Sequence, residues 1–193
     1  MKLKIKEISI IASLSAVSTI TQLLHVGYQS PQFGMWIDVV AVSWLIGYFM
    51  YGFRITFLIS AIGALMITFF APETWLGAGM KWIATFPMFF IPALFLKIID
   101  KPHSVFKSIL FVIPPLCIAL IVRSLFIIPV NYYIAIPIWT GMDTQTAIRT
   151  IPWYIITLFN SVQGILEVGS AWIFVYIFKL NRYMPQEKND VHE

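Results

Sequence analysis

Between Ile127 and Trp139 the chain reads IIPVNYYIAIPIW, which sets one carboxamide, Asn131, between Pro129 and Pro137 in an otherwise almost wholly apolar stretch. It closes a longer apolar run, Ser108–Trp139, that also holds Pro114 and Pro115. A membrane crossing needs about 20 residues, so this run is one overlong span that has to tilt, kink or break at its prolines. If the segment is helical, Pro129 and Pro137 leave the carbonyls of Leu125 and Tyr133 without their usual donors. Such irregular backbone is tolerated at membrane depth where it lines a polar cavity.

Outward from this run, five further apolar stretches stand near Ile8–His25, Trp36–Tyr51, Phe53–Ala71, Met80–Ile99 and Ile151–Phe178. The composition agrees: 59% apolar residues, 16% aromatics, 11% charged, and a mean hydropathy of +0.83. These values lie outside the range of soluble domains. The 193 residues leave room for six spans and short loops. The expectation is therefore an all-α integral membrane protein, a single transmembrane domain over residues 1–193. Trp36–Tyr51 is short for a crossing and is expected to enter as an extended segment. Lys2, Lys4 and Lys6 ahead of the first apolar run imitate a signal peptide, but no small-residue cleavage site follows, and the run is expected to be helix one. Cys117 cannot form an intrachain disulfide, being the only cysteine, and is expected to be a small buried hydrophobe.

The basic residues orient the bundle. Lys2, Lys4, Lys6, Arg54, Lys97, Lys101, Lys107, Lys179, Arg182 and Lys188 fall at alternate ends of the six spans, which makes that side cytoplasmic and puts both termini there. Of the other three, Lys81, Arg123 and Arg149, only Arg149 lies in an outer connection. This bias also accounts for the pI near 9.2, with no nucleic acid partner required.

Asn131 then falls in the outer part of span five. In LFNSVQGILEVGS, residues 158–170, Asn160, Gln163 and Glu167 stand at i, i+3 and i+7, along one helical face beside Gly164. A carboxamide facing lipid lacks hydrogen-bond partners at a cost of several kcal/mol, so such groups face the bundle interior or a cavity. Asp38 and Lys81 lie near the outer ends of spans two and four. Together these residues point to a ligand pocket open to the outside, with interhelical hydrogen bonding as the plainer alternative for the asparagines. Trp36, Trp75, Trp82, Tyr132, Tyr133, Trp139, Trp153 and Tyr154 crowd the same end, where an interfacial aromatic belt is also expected. Helix one carries a different signal, SIIASLSAVS over 9–18, in which Ala12 and Ala16 form a small-xxx-small pair that admits a close helix partner. The chain has no phosphate-binding loop, no HExxH or cysteine cluster, no GxSxG nucleophile and no histidine cluster, so no catalytic or metal-ligating set is expected.

These features resemble the membrane-embedded S components of energy-coupling factor vitamin transporters, small six-helix proteins that bind a vitamin and dock on a separate motor. Ala12-Ser-Leu-Ser-Ala16 is similar to the family's AxxxA motif, which contacts the transmembrane T component. MWIDVVAVSWLIGYFMYG (35–52), VNYYIAIPIW (130–139) and LFNSVQGI (158–165) resemble the riboflavin-specific members, although the pattern departs around Ala41 to Ser43. The resemblance implies a substrate-binding role in a prokaryotic cell membrane, a T component and two cytoplasmic ATPases as partners, riboflavin as transported ligand and no resident cofactor. It also implies that Asn131, Asn160 and Gln163 contact the isoalloxazine ring, with Gln163 in place of a family lysine. Asp38, Lys81, Arg123 and Glu167 receive no individual role. The competing expectations are the same fold for another vitamin or heterocycle, a solitary ion-coupled or passive transporter, and a structural membrane subunit.

Overall fold

The computed structural model describes residues 3–71 and 75–183; Lys2 and Lys188 of the basic set lie outside them. Among the described residues the regular structure is helical except for one hairpin. Its elements are α1 (Ile5–Leu23), β1 (Gly27–Gln29), β2 (Trp36–Asp38), α2 (Val42–Tyr51), α3 (Phe53–Phe70), α4 (Trp75–Ile99), α5 (Ile109–Val130), α6 (Ile136–Thr140), α7 (Thr144–Thr150) and α8 (Trp153–Trp172). Short helical turns occupy His103–Lys107, Asn131–Ala135, Ile173–Ile177 and Leu180–Tyr183. Four helical segments among the described residues are long and apolar enough to cross a bilayer: Phe53–Phe70, Trp75–Ile99, Ile109–Thr140 and Trp153–Ile177. Helix α1 is long enough but more polar, and α2 has only 10 residues.

Local chemistry explains the breaks. Glu7 accepts a 2.8 Å hydrogen bond from the Lys4 backbone N–H, which satisfies an orphan donor and sets a negative charge at the positive end of α1. Gly52, at φ +76°, turns α2 directly into α3 in a conformation that favours glycine. The overlong fifth span neither breaks nor runs straight. It continues from Ile109 to Thr140 through a widened π-turn at Asn131–Ala135, where the Ile136 N–H bonds back to the Asn131 carbonyl. Pro137 lies in the first turn of α6, where its missing N–H costs little. The expected sixth span loses its first two residues, because Pro152 caps α8 and Thr144–Thr150 forms a separate helix, started by the Asp143 carboxylate accepting from the Thr146 N–H at 3.1 Å. Hydrogen bonding from the Thr146 side chain, and then from its backbone N–H, holds the Asp143 carboxyl below its ordinary range. The second apolar stretch does enter extended, as strand β2 of an antiparallel hairpin in which Gly27 pairs with Asp38 and Gln29 with Trp36.

Cys117 departs from expectation: it is exposed. Helix α5 buries Val112, Pro115, Ala119, Arg123 and Ile127, a stripe of period three to four, and Cys117 lies off it. A span in lipid is apolar on every face, so apolar surroundings in sequence do not distinguish an interior position from an outward one.

Glycines let the helices approach. A Cβ on Gly63 would lie 2.6 Å from the Ser18 hydroxyl and 2.8 Å from the Trp44 indole nitrogen, where α3 packs on α1 and α2. One apolar core gathers Tyr48, Phe49, Met88, Phe89, Phe106 and Val175 around the C-terminal ends of α2, α4 and α8. A second gathers Leu76, Met80, Tyr132, Ile136 and Ile156 at the opposite end of the long helices. The two described chain ends meet on the first side, where Lys6 Nζ donates to the Tyr183 carbonyl at 3.2 Å.

Candidate ligand-binding site

At the end of the bundle opposite the described chain ends lies a cavity of about 470 Å³, within the size range of small-molecule sites. Its wall is built by the end of α1, the hairpin, the start of α4, the end of α5 with α6, and the first turns of α8. Asn131, Asn160, Gln163, Asp38 and Lys81 all line it. Glu167 does not: it is fully buried and holds the lining residues from behind.

The carboxamides of Asn131 and Asn160 share the cavity wall without bonding to each other. Asn131 Nδ2 donates to the Ile127 carbonyl at 2.8 Å, and Asn160 Nδ2 to the Ile156 carbonyl at 2.9 Å. Each thereby uses one N–H to fix its rotamer and keeps the other. The π-turn that starts at Asn131 is tied to the start of α8 by the Tyr132 hydroxyl, which donates to the Ile151 carbonyl at 2.6 Å.

Gln163 is engaged differently. Its Oε1 accepts from the Asp38 N–H at 2.9 Å, its Nε2 donates to the Asp38 carbonyl at 2.8 Å, and the same Nε2 donates to Glu167. The side chain closes onto the Asp38 backbone as a neighbouring strand would and staples the hairpin to α8. Both of its N–H groups are consumed.

Charges are matched in a chain across three helices and the hairpin. Lys81 contacts the Asp38 carboxylate and stands 4.0 Å from Glu167; Arg123 Nη1 meets Glu167 at 3.2 Å, and Arg123 Nε donates to Asn160 Oδ1 at 3.3 Å. Asp38 also accepts from the Val40 N–H at 2.9 Å, which starts the turn into α2. A buried ion that loses its partner costs several kcal/mol, so all four groups depend on one another. Gly164 leaves room for this arrangement: a Cβ there would lie 2.8 Å from the Leu120 side chain, 3.0 Å from that of Met88 and 3.4 Å from Arg123 Nη1, so a larger residue would make these side chains shift.

Arg123, His25 and the aromatic residues Phe33 and Phe159 of the wall were not assigned to the site from sequence. For Arg123 a signal exists, since a lone charge inside a long apolar span is expensive and marks a functional position. The hairpin residues carry none, because their proximity to α8 arises only from the fold. The crowd of aromatics divides. Trp36 and Trp139 line the cavity; Tyr132 and Trp82 spend their polar atoms on Ile151 and Ser60; Trp75, Tyr133, Trp153 and Tyr154 are exposed, as belt residues would be. On α1, Ala12 is exposed and Ala16 partly so.

No family model matches the chain, and no curated protein does. Among solved structures, it is similar to the S component of a bacterial ECF transporter, at 21% identity over 92% of this chain and 96% of that one, with a TM-score of 0.71. The two proteins share a fold.

Proposed function

We propose that this protein is the substrate-binding component of an energy-coupling factor importer, which captures riboflavin or a related flavin at the outer face of a prokaryotic cell membrane. The observation that carries the proposal is the cavity, in which Asn131 and Asn160 present free amide hydrogens beside Phe33, Trp36, Trp139 and Phe159. Isoalloxazine has a flat, largely apolar body and one edge of alternating donors and acceptors, so aromatic walls and carboxamides suit it. The matched charges leave no demand for a charged ligand. The flavin is cargo, and no bond in it is changed.

On this proposal six segments cross the bilayer, with α1 and the hairpin–α2 segment completing the set, both termini in the cytoplasm and the cavity facing out. The basic residues at the terminal end of the bundle support that orientation. Energy comes from a T component and two cytoplasmic ATPases, docked through the face of α1 that carries the exposed Ala12 and the partly exposed Ala16. An absorbance spectrum of the purified protein tests the ligand: a retained flavin band supports the proposal, and a different bound heterocycle identifies another cargo for the same fold. Ala12→Trp/Ala16→Trp tests the docking. It is expected to abolish ATP-dependent riboflavin uptake in vesicles holding the partners while binding in detergent survives, because neither alanine lines the cavity, to which α1 brings only its far end. Uptake by the wild-type chain without partners would favour a solitary transporter.

A further inference from the structure

Arg123 holds more hydrogen-bonding capacity than the protein uses. A guanidinium carries five N–H groups. Its Nε serves Asn160 and its Nη1 serves Glu167, while Nη2 has no hydrogen bond among the described residues. The residue is 3% exposed, yet it lines the cavity. Donors held there can be matched only by what the cavity contains, and leaving them unmatched is costly.

The neighbouring groups restrict what that is. Gln163 has spent both N–H groups on Asp38 and Glu167, so it supplies no donor to a ligand. Asp38 and Glu167 balance Lys81 and Arg123, so an anionic ligand would add an uncompensated charge. Arg123 and Asn160, joined to each other, both keep free N–H groups at one place on the wall.

We propose that Arg123 is a ligand-binding residue, donating from Nη2 to a carbonyl oxygen on the buried edge of an uncharged heteroaromatic ligand and so setting which edge is accepted. This rests on the proposal that the cavity takes a flavin. The position of Gln163 is then a clamp on the hairpin, and recognition of the ring edge passes to the α5 arginine.

The test uses riboflavin and its 2-thio and 4-thio analogues, in which sulfur, a weaker acceptor, replaces one ring carbonyl oxygen. Affinities are measured for the purified full-length wild type and for Arg123→Gln/Glu167→Gln, which removes both charges together and is checked by helical content and melting temperature. The wild type is expected to prefer riboflavin to at least one thio analogue by about tenfold or more. The double variant is expected to bind riboflavin about ten- to a hundredfold more weakly and to lose that preference. A folded double variant with wild-type affinity and preference would overturn the role of Arg123 alone. So would a wild type indifferent to both sulfur substitutions, a result that needs no variant. A wild type that binds none of the three flavins would overturn the flavin proposal, and the role of Arg123 would fall with it.

Discussion

The two ends of the helical bundle solve opposite problems. At the terminal end, Tyr48, Phe49, Phe106 and Tyr176 meet edge to face or tilted, at centroid distances of 5.7–6.2 Å, around a void of only about 10 Å³. At the other end the same helices diverge around about 470 Å³ and four charged side chains. Lipid supplies no hydrophobic drive for helix association, so the tight end has to hold the bundle by packing. The open end keeps polar groups whose cost is met by hydrogen bonds to one another and to the backbone. On the proposed function, stability and recognition are thereby separated along the bundle axis, and mutations at the two ends should report different quantities.

The largest effect is expected where the separation fails. Glu167 faces Arg123, Lys81 and Gln163 at once and is fully buried. Glu167→Ala should cost about 3–5 kcal/mol of stability and also abolish flavin binding, read as a lowered melting temperature in detergent and a flat titration. Phe106→Ala at the tight end should cost a similar 3–5 kcal/mol while the remaining folded protein keeps its affinity. Equal loss of affinity in both variants would show that the ends are not separate.

Much of this contrast is legible in the sequence, and its limits are physical. The apolar environment, the overlong, proline-rich span and the extended entry at Trp36–Asp38 follow from composition and span length. The placement of Asn131, Asn160, Gln163, Asp38 and Lys81 around one cavity follows from helical spacing and the cost of polar groups in lipid. What the sequence does not carry is which partner each polar group finds. Gln163 reads as a ligand contact until the hairpin folds back and gives it the Asp38 peptide. Arg123 reads as one of three leftover basic residues until the fold sets α5 against α8 and brings it to Asn160 and Glu167. Cys117 is exposed because interior-facing and outward-facing positions of a lipid-bound helix share one composition.

Intermediate effects belong to Gln163. Gln163→Lys can donate to the Asp38 carbonyl but cannot accept from its N–H, so it should destabilise the hairpin and weaken binding by about 1–3 kcal/mol in total. Hydrogen exchange at the Asp38 amide checks the clamp directly. Faster exchange is expected in the variant, and unchanged exchange would free Gln163 to be a ligand contact after all.

The smallest effect lies at the tight end and depends on pH. Burial lowers the His103 pKa from its ordinary 6.5 to about 4. The unfolded chain therefore binds the extra proton first, so the stability tied to neutral His103 is complete above about pH 6.5 and is lost as pH falls toward 4. Melting temperature followed between pH 7 and 4 should fall less in His103→Phe than in the wild type, and identical profiles would show that His103 is not held neutral.

The separation of ends is tested most directly by titrating riboflavin into purified wild type, Asn131→Ala, Asn160→Ala and Phe106→Ala and following quenching of flavin fluorescence. The wild type and folded Phe106→Ala should quench with one site and equal affinity, and each asparagine variant should be weaker by about 1–3 kcal/mol at nearly unchanged melting temperature. Absence of quenching by the wild type, or asparagine variants that bind as it does, would contradict the assignment of the cavity as the flavin site.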